Sequence, residues 1–186
     1  MLVSSEIAAV CEKIRQGGVI AYPTEAVFGL GCDPNNLSSV DQLLQIKQRS
    51  SDKGLILIAS DFKQLRPFLS QDINPTTAQM TAAPITWIFQ ANSSTSPLLT
   101  GTHDTLAVRI SQHPLVKALC STLNHPLTST SANLSGEPPC KNTSQIIEQF
   151  MHHQPALSAV LDGPTGGQLN PTEIRDARSG KILRHS

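Results

Sequence analysis

A chain of 186 residues is close to one ordinary domain in length, and its 39% hydrophobic content can build a core on that scale. Lysine plus arginine (14) balances aspartate plus glutamate (14), which excludes a protein that clamps nucleic acid or coats a membrane through overall charge. Unbroken apolar stretches such as Leu55–Ala59 fall far short of the roughly 18 residues of a membrane span, so any basic site must be local and no membrane partner is expected.

The elements follow in chain order. Ile7, Val10, Cys11 and Ile14 repeat at helical spacing behind Ser4 and Ser5, and Gly17-Gly18 ends the pattern. Glu6, Glu12 and Lys13 interrupt the apolar run that a secretory signal needs, which points to a cytoplasmic protein. Val19–Tyr22 reads as a short buried strand halted by Pro23, and Val40, Leu43, Leu44 and Ile46 mark a helix capped by Asn36 or Ser38. Further strands are predicted at Leu55–Ala59, Ile85–Gln90, Leu106–Ile110, Leu127–Thr130 and Ala159–Asp162, with helices after Pro114 and behind Thr143 or Ser144. Ile174 and Ile182 mark short C-terminal strands. The class is α/β. Some strand separations are too short for a helical crossover, so a mixed sheet in a single domain over residues 1–186 is expected.

Cys11, Cys32, Cys120 and Cys140 form no C-x-x-C pair, and no histidine falls at a metal-binding helical spacing. Four reduced thiols, surface or loop histidines and no protein metal site are the expectation. Three other segments carry polar chemistry. Pro23–Gly31 follows the first strand, where its glycines allow either an ordinary turn or close approach of a ligand. There Thr24 offers a hydroxyl and free N–H groups offer an anion site. Lys47-Gln48-Arg49-Ser50-Ser51-Asp52-Lys53-Gly54 leads to the most apolar strand, and residues 43–66 hold a surplus of three positive charges. Extended, it would aim Lys47 and Arg49 to one side, as a phosphate grip needs; solvated, it is only a basic helix end. Leu127–Gly136 is a file of hydroxyls and amides that suits phosphate oxygens or a self-bonded loop equally. Asn170–Asp176 adds Arg175 beside Arg178, Lys181 and Arg184.

Taken in order, Pro23–Gly31, Lys47-x-Arg49 with Lys53–Ile58, Ala107-Val108-Arg109, Ser129–Gly136 and Asn170–Asp176 resemble the YrdC/TsaC family of threonylcarbamoyl-AMP synthases, in its short bacterial form. The resemblance spans nearly the whole chain. It implies an open, twisted mixed sheet with flanking helices around a wide, positively lined cavity. That cavity takes ATP as substrate, L-threonine and bicarbonate, with Mg²⁺ arriving on the nucleotide. The family's catalytic tetrad falls on Lys47, Arg49, Ser131 and Asn133. Lys53, Arg109 and Ser129 are implied as further nucleotide contacts, and Thr24 and Phe28 as threonine contacts. Two departures stand out: Ala26 and Phe28 occupy positions where the family often has Thr and Tyr, and Ser50 one where it often has Pro.

The implied reaction joins threonine, as its carbamate, to the α-phosphorus of ATP and releases pyrophosphate, supplying proteins that transfer threonylcarbamoyl to tRNAs reading codons that begin with A. The competing expectation is a module that grips tRNA, precursor rRNA or other double-stranded RNA without chemistry. One Trp, one Tyr and zero net charge weigh against it.

Overall fold

The computed structural model describes residues 1–185. The chain opens with β1 (Leu2–Ser4), α1 (Ile7–Arg15), β2 (Ile20–Pro23), β3 (Phe28–Gly31), α2 (Leu37–Lys47) and β4 (Ile56–Ala59). Next come two single turns, α3 (Phe62–Leu65) and α4 (Thr77–Met80), then β5 (Ile85–Gln90), another turn α5 (Pro97–Thr100), β6 (Thr105–Ile110) and α6 (Pro114–Leu123). The last third holds β7 (Leu127–Ser131), α7 (Thr143–Phe150), β8 (Ala159–Leu161), β9 (Glu173–Asp176) and β10 (Ile182–Arg184).

Among the described residues, ten strands join one sheet in the order β1-β8-β2-β3-β7-β4-β6-β5-β9-β10. Pairings β1·β8, β2·β8, β4·β6 and β5·β9 are parallel, while β2·β3, β3·β7, β4·β7, β5·β6 and β9·β10 are antiparallel. The sheet is therefore mixed, as expected. Strands β2, β4 and β8 are apolar on both sides because both faces of the sheet are covered there. In β2, Ile20 and Tyr22 pack into a cluster with Val10, Cys11 and Ile14 of α1 and Val116, Leu119 and Cys120 of α6. Ala21, between them, points to the opposite cluster with Leu43 of α2 and Phe150 of α7. The two-residue alternation of a pleated strand thus divides one apolar run between two cores.

Helix ends follow their local chemistry. Asn36 Oδ1 accepts from Ser39 N (3.2 Å) at the start of α2, and the helix closes on Gln48 in the left-handed conformation, φ 47°. Gly17, φ 84°, terminates α1; the α7 cap is Asn142 rather than Thr143 or Ser144.

The structure adds to the sequence reading, or departs from it, at four places. Residues Leu2–Ser4 form an edge strand too short to announce itself by periodicity. Half of the Pro23–Gly31 turn is the strand β3, hairpin-paired with β2; its two glycines hid the apolar alternation. Lys47 is the last residue of α2 rather than part of an extended segment, and the left-handed Gln48 reverses the chain so that Arg49 N bonds back to Leu44 O. His113 lies in a loop, as expected, between β6 and α6, but it is buried there, 5% exposed, with its Nε2 3.1 Å from Pro164 O.

Gly31 shows how tightly the central strands fit. A Cβ built there would lie 2.1 Å from Thr128 O and 2.9 Å from the Tyr22 ring. Thr128 O also accepts from Tyr22 Oη (3.1 Å), and Cys32 N donates to Thr128 Oγ1 (2.9 Å). Gly31→Ala must therefore push β7 away from β3. Urea unfolding is expected to show a loss of about 1–3 kcal/mol, the usual cost of overpacking a filled core; an unchanged midpoint would refute this packing.

Candidate active site

A cavity of about 440 Å³ opens where the ends of β3, β4, β6, β7 and β9 meet. Its lining includes Arg49, Lys53, Arg109, Ser129 and Ser131, with Thr24 and Phe28 beside them. Residues more than a hundred positions apart in the chain share it because β7 is inserted between β3 and β4 in the sheet. Leu30 registers with Thr130, and Ile56 registers with Ser129.

Lys47 and Asn133 stand immediately behind this lining. The Lys47 ammonium donates to the Asn133 backbone oxygen (2.5 Å) and to Oδ1 (2.8 Å), and Ser131 Oγ donates to the same Oδ1 (2.8 Å). Asn133 is itself locked, since its Nδ2 donates to Leu134 O (3.0 Å) and Glu137 O (2.9 Å). Lys47 is 8% exposed. Burial, reinforced by the charge of Arg49, lowers its pKa to about 8. The neighbouring Cys140 thiol is driven by burial to about 11, despite the counter-pull of Lys47, and is therefore inert as a nucleophile at neutral pH.

Arg49 leans over the loop that follows α2. Its Nη2 donates to Gly54 O (3.0 Å) and Lys53 O (3.4 Å), while Nε is buried without a partner. Gly54 permits this: its φ is 58°, and a Cβ there would lie 2.8 Å from Thr100 O. The Arg49 guanidinium thus keeps unspent donors at the cavity wall, and Lys53 is exposed next to it. The four residues of the tetrad come together from two distant segments, Lys47-x-Arg49 and Ser131-x-Asn133.

At the other side of the cavity the sequence motifs behave differently. Thr24 Oγ1 donates to Val27 O (2.7 Å) and closes its own turn. Phe28 is fully buried in the larger core cluster, and its N–H and C=O bond to Cys140 O and Ala132 N. Arg109 is 8% exposed and spends its guanidinium within the protein. Its Nη1 donates to Thr172 Oγ1 (3.0 Å), and Nη2 lies 3.4 Å from Glu25 Oε2. Burial would raise the Glu25 pKa, but Arg109, the Ser111 hydroxyl and the Gln112 N–H together hold it below the ordinary value of 4.5. Motif reading alone does not single out Glu25; its signal is a single carboxylate in the otherwise uncharged run Pro23–Gly31. Arg184 and His103 also reach the lining. The Arg175 side chain instead faces Trp87, 6.0 Å from the ring centroid.

Among the described residues, no group of three His, Cys, Asp or Glu side chains gathers to hold a metal, and no helix is long and apolar enough to cross a membrane.

Fold and cavity together define an α/β protein with one mixed sheet opening on a basic, hydroxyl-lined pocket. The family described as "Telomere recombination", that of Sua5, YciO and YrdC, matches residues 12–186. The chain belongs to this family. It is 49% identical over 180 residues to the threonylcarbamoyl-AMP synthase of Photobacterium profundum, covering 94% of this chain and 96% of that protein. It is 48% identical to the enzyme of the same name from Escherichia coli O1:K1, covering 98% and 97%. Among solved structures, Sua5 of P. abyssi complexed with L-threonine superposes with a TM-score of 0.86 at 25% identity, over 99% of this chain and 56% of that longer one.

Because Glu25 binds its proton less well in the fold than in the unfolded chain, the stability it contributes is present above pH 4.5 and is lost as the pH falls through its lower folded pKa. Urea midpoints measured downward from pH 6 are expected to fall in that window, and Glu25→Gln should flatten this part of the profile. An identical slope in the variant would remove the assignment.

Proposed function

We propose that the chain is a cytoplasmic threonylcarbamoyl-AMP synthase, making threonylcarbamoyl-AMP and pyrophosphate from L-threonine, bicarbonate or CO2, and ATP. Its product serves N6-threonylcarbamoyladenosine formation in tRNAs that read codons beginning with A. The observation that carries this reading is the convergence of Lys47, Asn133 and Ser131 in one hydrogen-bonded group beside Arg49 and Lys53 at a single cavity, in a chain nearly half identical to enzymes of that name.

The threonine amine adds to CO2 and loses a proton, giving a carbamate. A carbamate oxygen attacks the α-phosphorus of ATP, the bond from that phosphorus to the bridging oxygen breaks, and pyrophosphate leaves. No covalent nucleophile is required; positioning and charge stabilisation are the protein's task in such transfers. Arg49 and Lys53 offer free donors to the triphosphate, while Ser131 and Ser129 bring hydroxyls to the lining beside them. Lys47 is held just behind them on Asn133, and an arriving anion would stabilise the ammonium that burial disfavours. Mg²⁺ bound to the nucleotide would neutralise the departing pyrophosphate. Thr24 and Phe28 shape the amino-acid end, Thr24 by fixing the turn and Phe28 by walling it. The adenylate passes to threonylcarbamoyl-transfer proteins.

Chromatography of products from ATP, labelled bicarbonate and threonine tests this directly. A labelled nucleotide conjugate is expected only when all three are present. Salt-sensitive RNA binding without a conjugate would instead favour the RNA-module reading. Lys47→Ala is expected to slow threonine-dependent pyrophosphate release by roughly 100- to 1000-fold, the usual cost of removing one group that stabilises transition-state charge; near wild-type release would contradict its role.

A further inference from the structure

The cations lining the cavity are not equivalent. Among the described residues, Arg49, Lys53 and Arg184 line it without a carboxylate in ion-pair range, whereas Arg109 faces Glu25 at 3.4 Å. Both side chains of that pair are nearly sequestered, 9% and 8% exposed. Arg109 reaches the lining and Glu25 does not, so the carboxylate stands behind the guanidinium as seen from the ligand's side.

Glu25 gathers four parts of the chain. Its Oε1 accepts from Ser111 Oγ (2.5 Å) and Gln112 N (3.1 Å), just beyond β6. Through Arg109 it reaches Thr172 Oγ1, which meets Thr86 Oγ1 of β5 at 3.0 Å. Its own backbone oxygen accepts from Gln168 N (2.9 Å), and Thr24 O accepts from Gly166 N (2.9 Å). The segment 163–171 therefore lies along the Thr24–Glu25 turn, so close that a Cβ on Gly166 would sit 3.0 Å from Glu25 Cα.

Stability alone is a poor account of this pair. Two buried charges seldom gain more from each other than they lose in leaving water, and an apolar pair of equal volume usually does as well. This pair is also incompletely satisfied: Glu25 Oε2 and Arg109 Nε are buried with no hydrogen-bond partner, and the contact is single and long rather than a bidentate fork. Its consequence for the cavity is electrostatic. A bare Arg109 would present a second strong anion site beside the turn, and a triphosphate would compete for it with an amino acid. Glu25 offsets the charge of Arg109 at the turn, which leaves Arg49, Lys53 and, beyond Thr172, Arg184 as the lining cations that keep their charge for an anion.

We propose that Glu25 is a positioning and charge-sorting residue of the reaction. Acting through Arg109, its carboxylate holds the Thr24–Val27 turn in the arrangement that receives the amino acid and keeps polyphosphate from binding there. The proposal rests on the reading of that turn as the amino-acid end of a threonylcarbamoyl-AMP synthase.

Glu25→Gln keeps the shape and an acceptor for Ser111 and Gln112 but removes the charge. In steady-state assays the threonine KM of this variant is expected to rise about tenfold or more, as when one charged hydrogen-bonded partner is lost, with the ATP KM changed by less than about threefold. Added inorganic pyrophosphate is expected to become competitive with threonine in Glu25→Gln and to be non-competitive with it in the wild type; the same pattern in both would overturn the charge-sorting role. Equal rises in both KM values, or no rise, would overturn the proposal and leave a structural pair. Should Glu25→Gln fail to fold, Ser111→Ala carries the test. It removes the 2.5 Å bond but keeps the charge, so the threonine KM should rise alone and pyrophosphate should stay non-competitive; a parallel rise in the ATP KM overturns the positioning role. A wild-type protein that makes no threonine-dependent conjugate would bring down the functional reading first, and this inference with it.

Discussion

The contact on which the site depends is the buried ammonium of Lys47 held by both oxygens of Asn133. It joins the end of α2 to the loop leaving β7, two segments that the sheet brings together only because β7 pairs with β3 on one side and β4 on the other. A charge in this position is costly, and its pKa drifts down to about 8 accordingly. That cost falls beside the donors that Arg49 and Lys53 leave open, and in the proposed reaction an anionic ligand there would offset it.

Rigidity around this contact comes from the two cores. Helices α1 and α6 cover one face, and α2 and α7 cover the other, so the strands cannot slide without exposing an apolar row. Glycine at position 31 lets β3 and β7 approach at van der Waals distance, which carries Ser129 and Ser131 to the cavity rather than past it. The cavity opens toward strand ends, where the backbone leaves the ladder, and Ser129 within β7 extends its polar lining inward.

The charge in the cavity is unevenly distributed, and that unevenness fits a reaction with two unlike substrates. One region presents guanidinium and ammonium groups with donors to spare. The other presents an arginine already answered by Glu25 and Thr172. A chain with no net charge thereby creates a strongly polar interior, which bulk composition could not reveal.

Much of the fold was legible in the residues alone. The helical spacing of Ile7, Val10, Cys11 and Ile14, the apolar strands at Ile85–Gln90 and Leu106–Ile110, and the mixed sheet all follow from periodicity and separation, which are local properties. The motif order identified the family, and Lys47, Arg49, Ser131 and Asn133 could be named from it. Strands with weak alternation were not legible: β1 is three residues long and β3 carries Gly29 and Gly31. Nor could the sequence show that Lys47 ends a helix and lies behind the cavity, that Phe28 is spent in the core, or that Arg109 is matched by a glutamate 84 positions earlier. Those facts depend on which strands become neighbours and on how buried charges find partners. Pairing across the sheet is decided by the whole chain packing at once, and no window of sequence contains it.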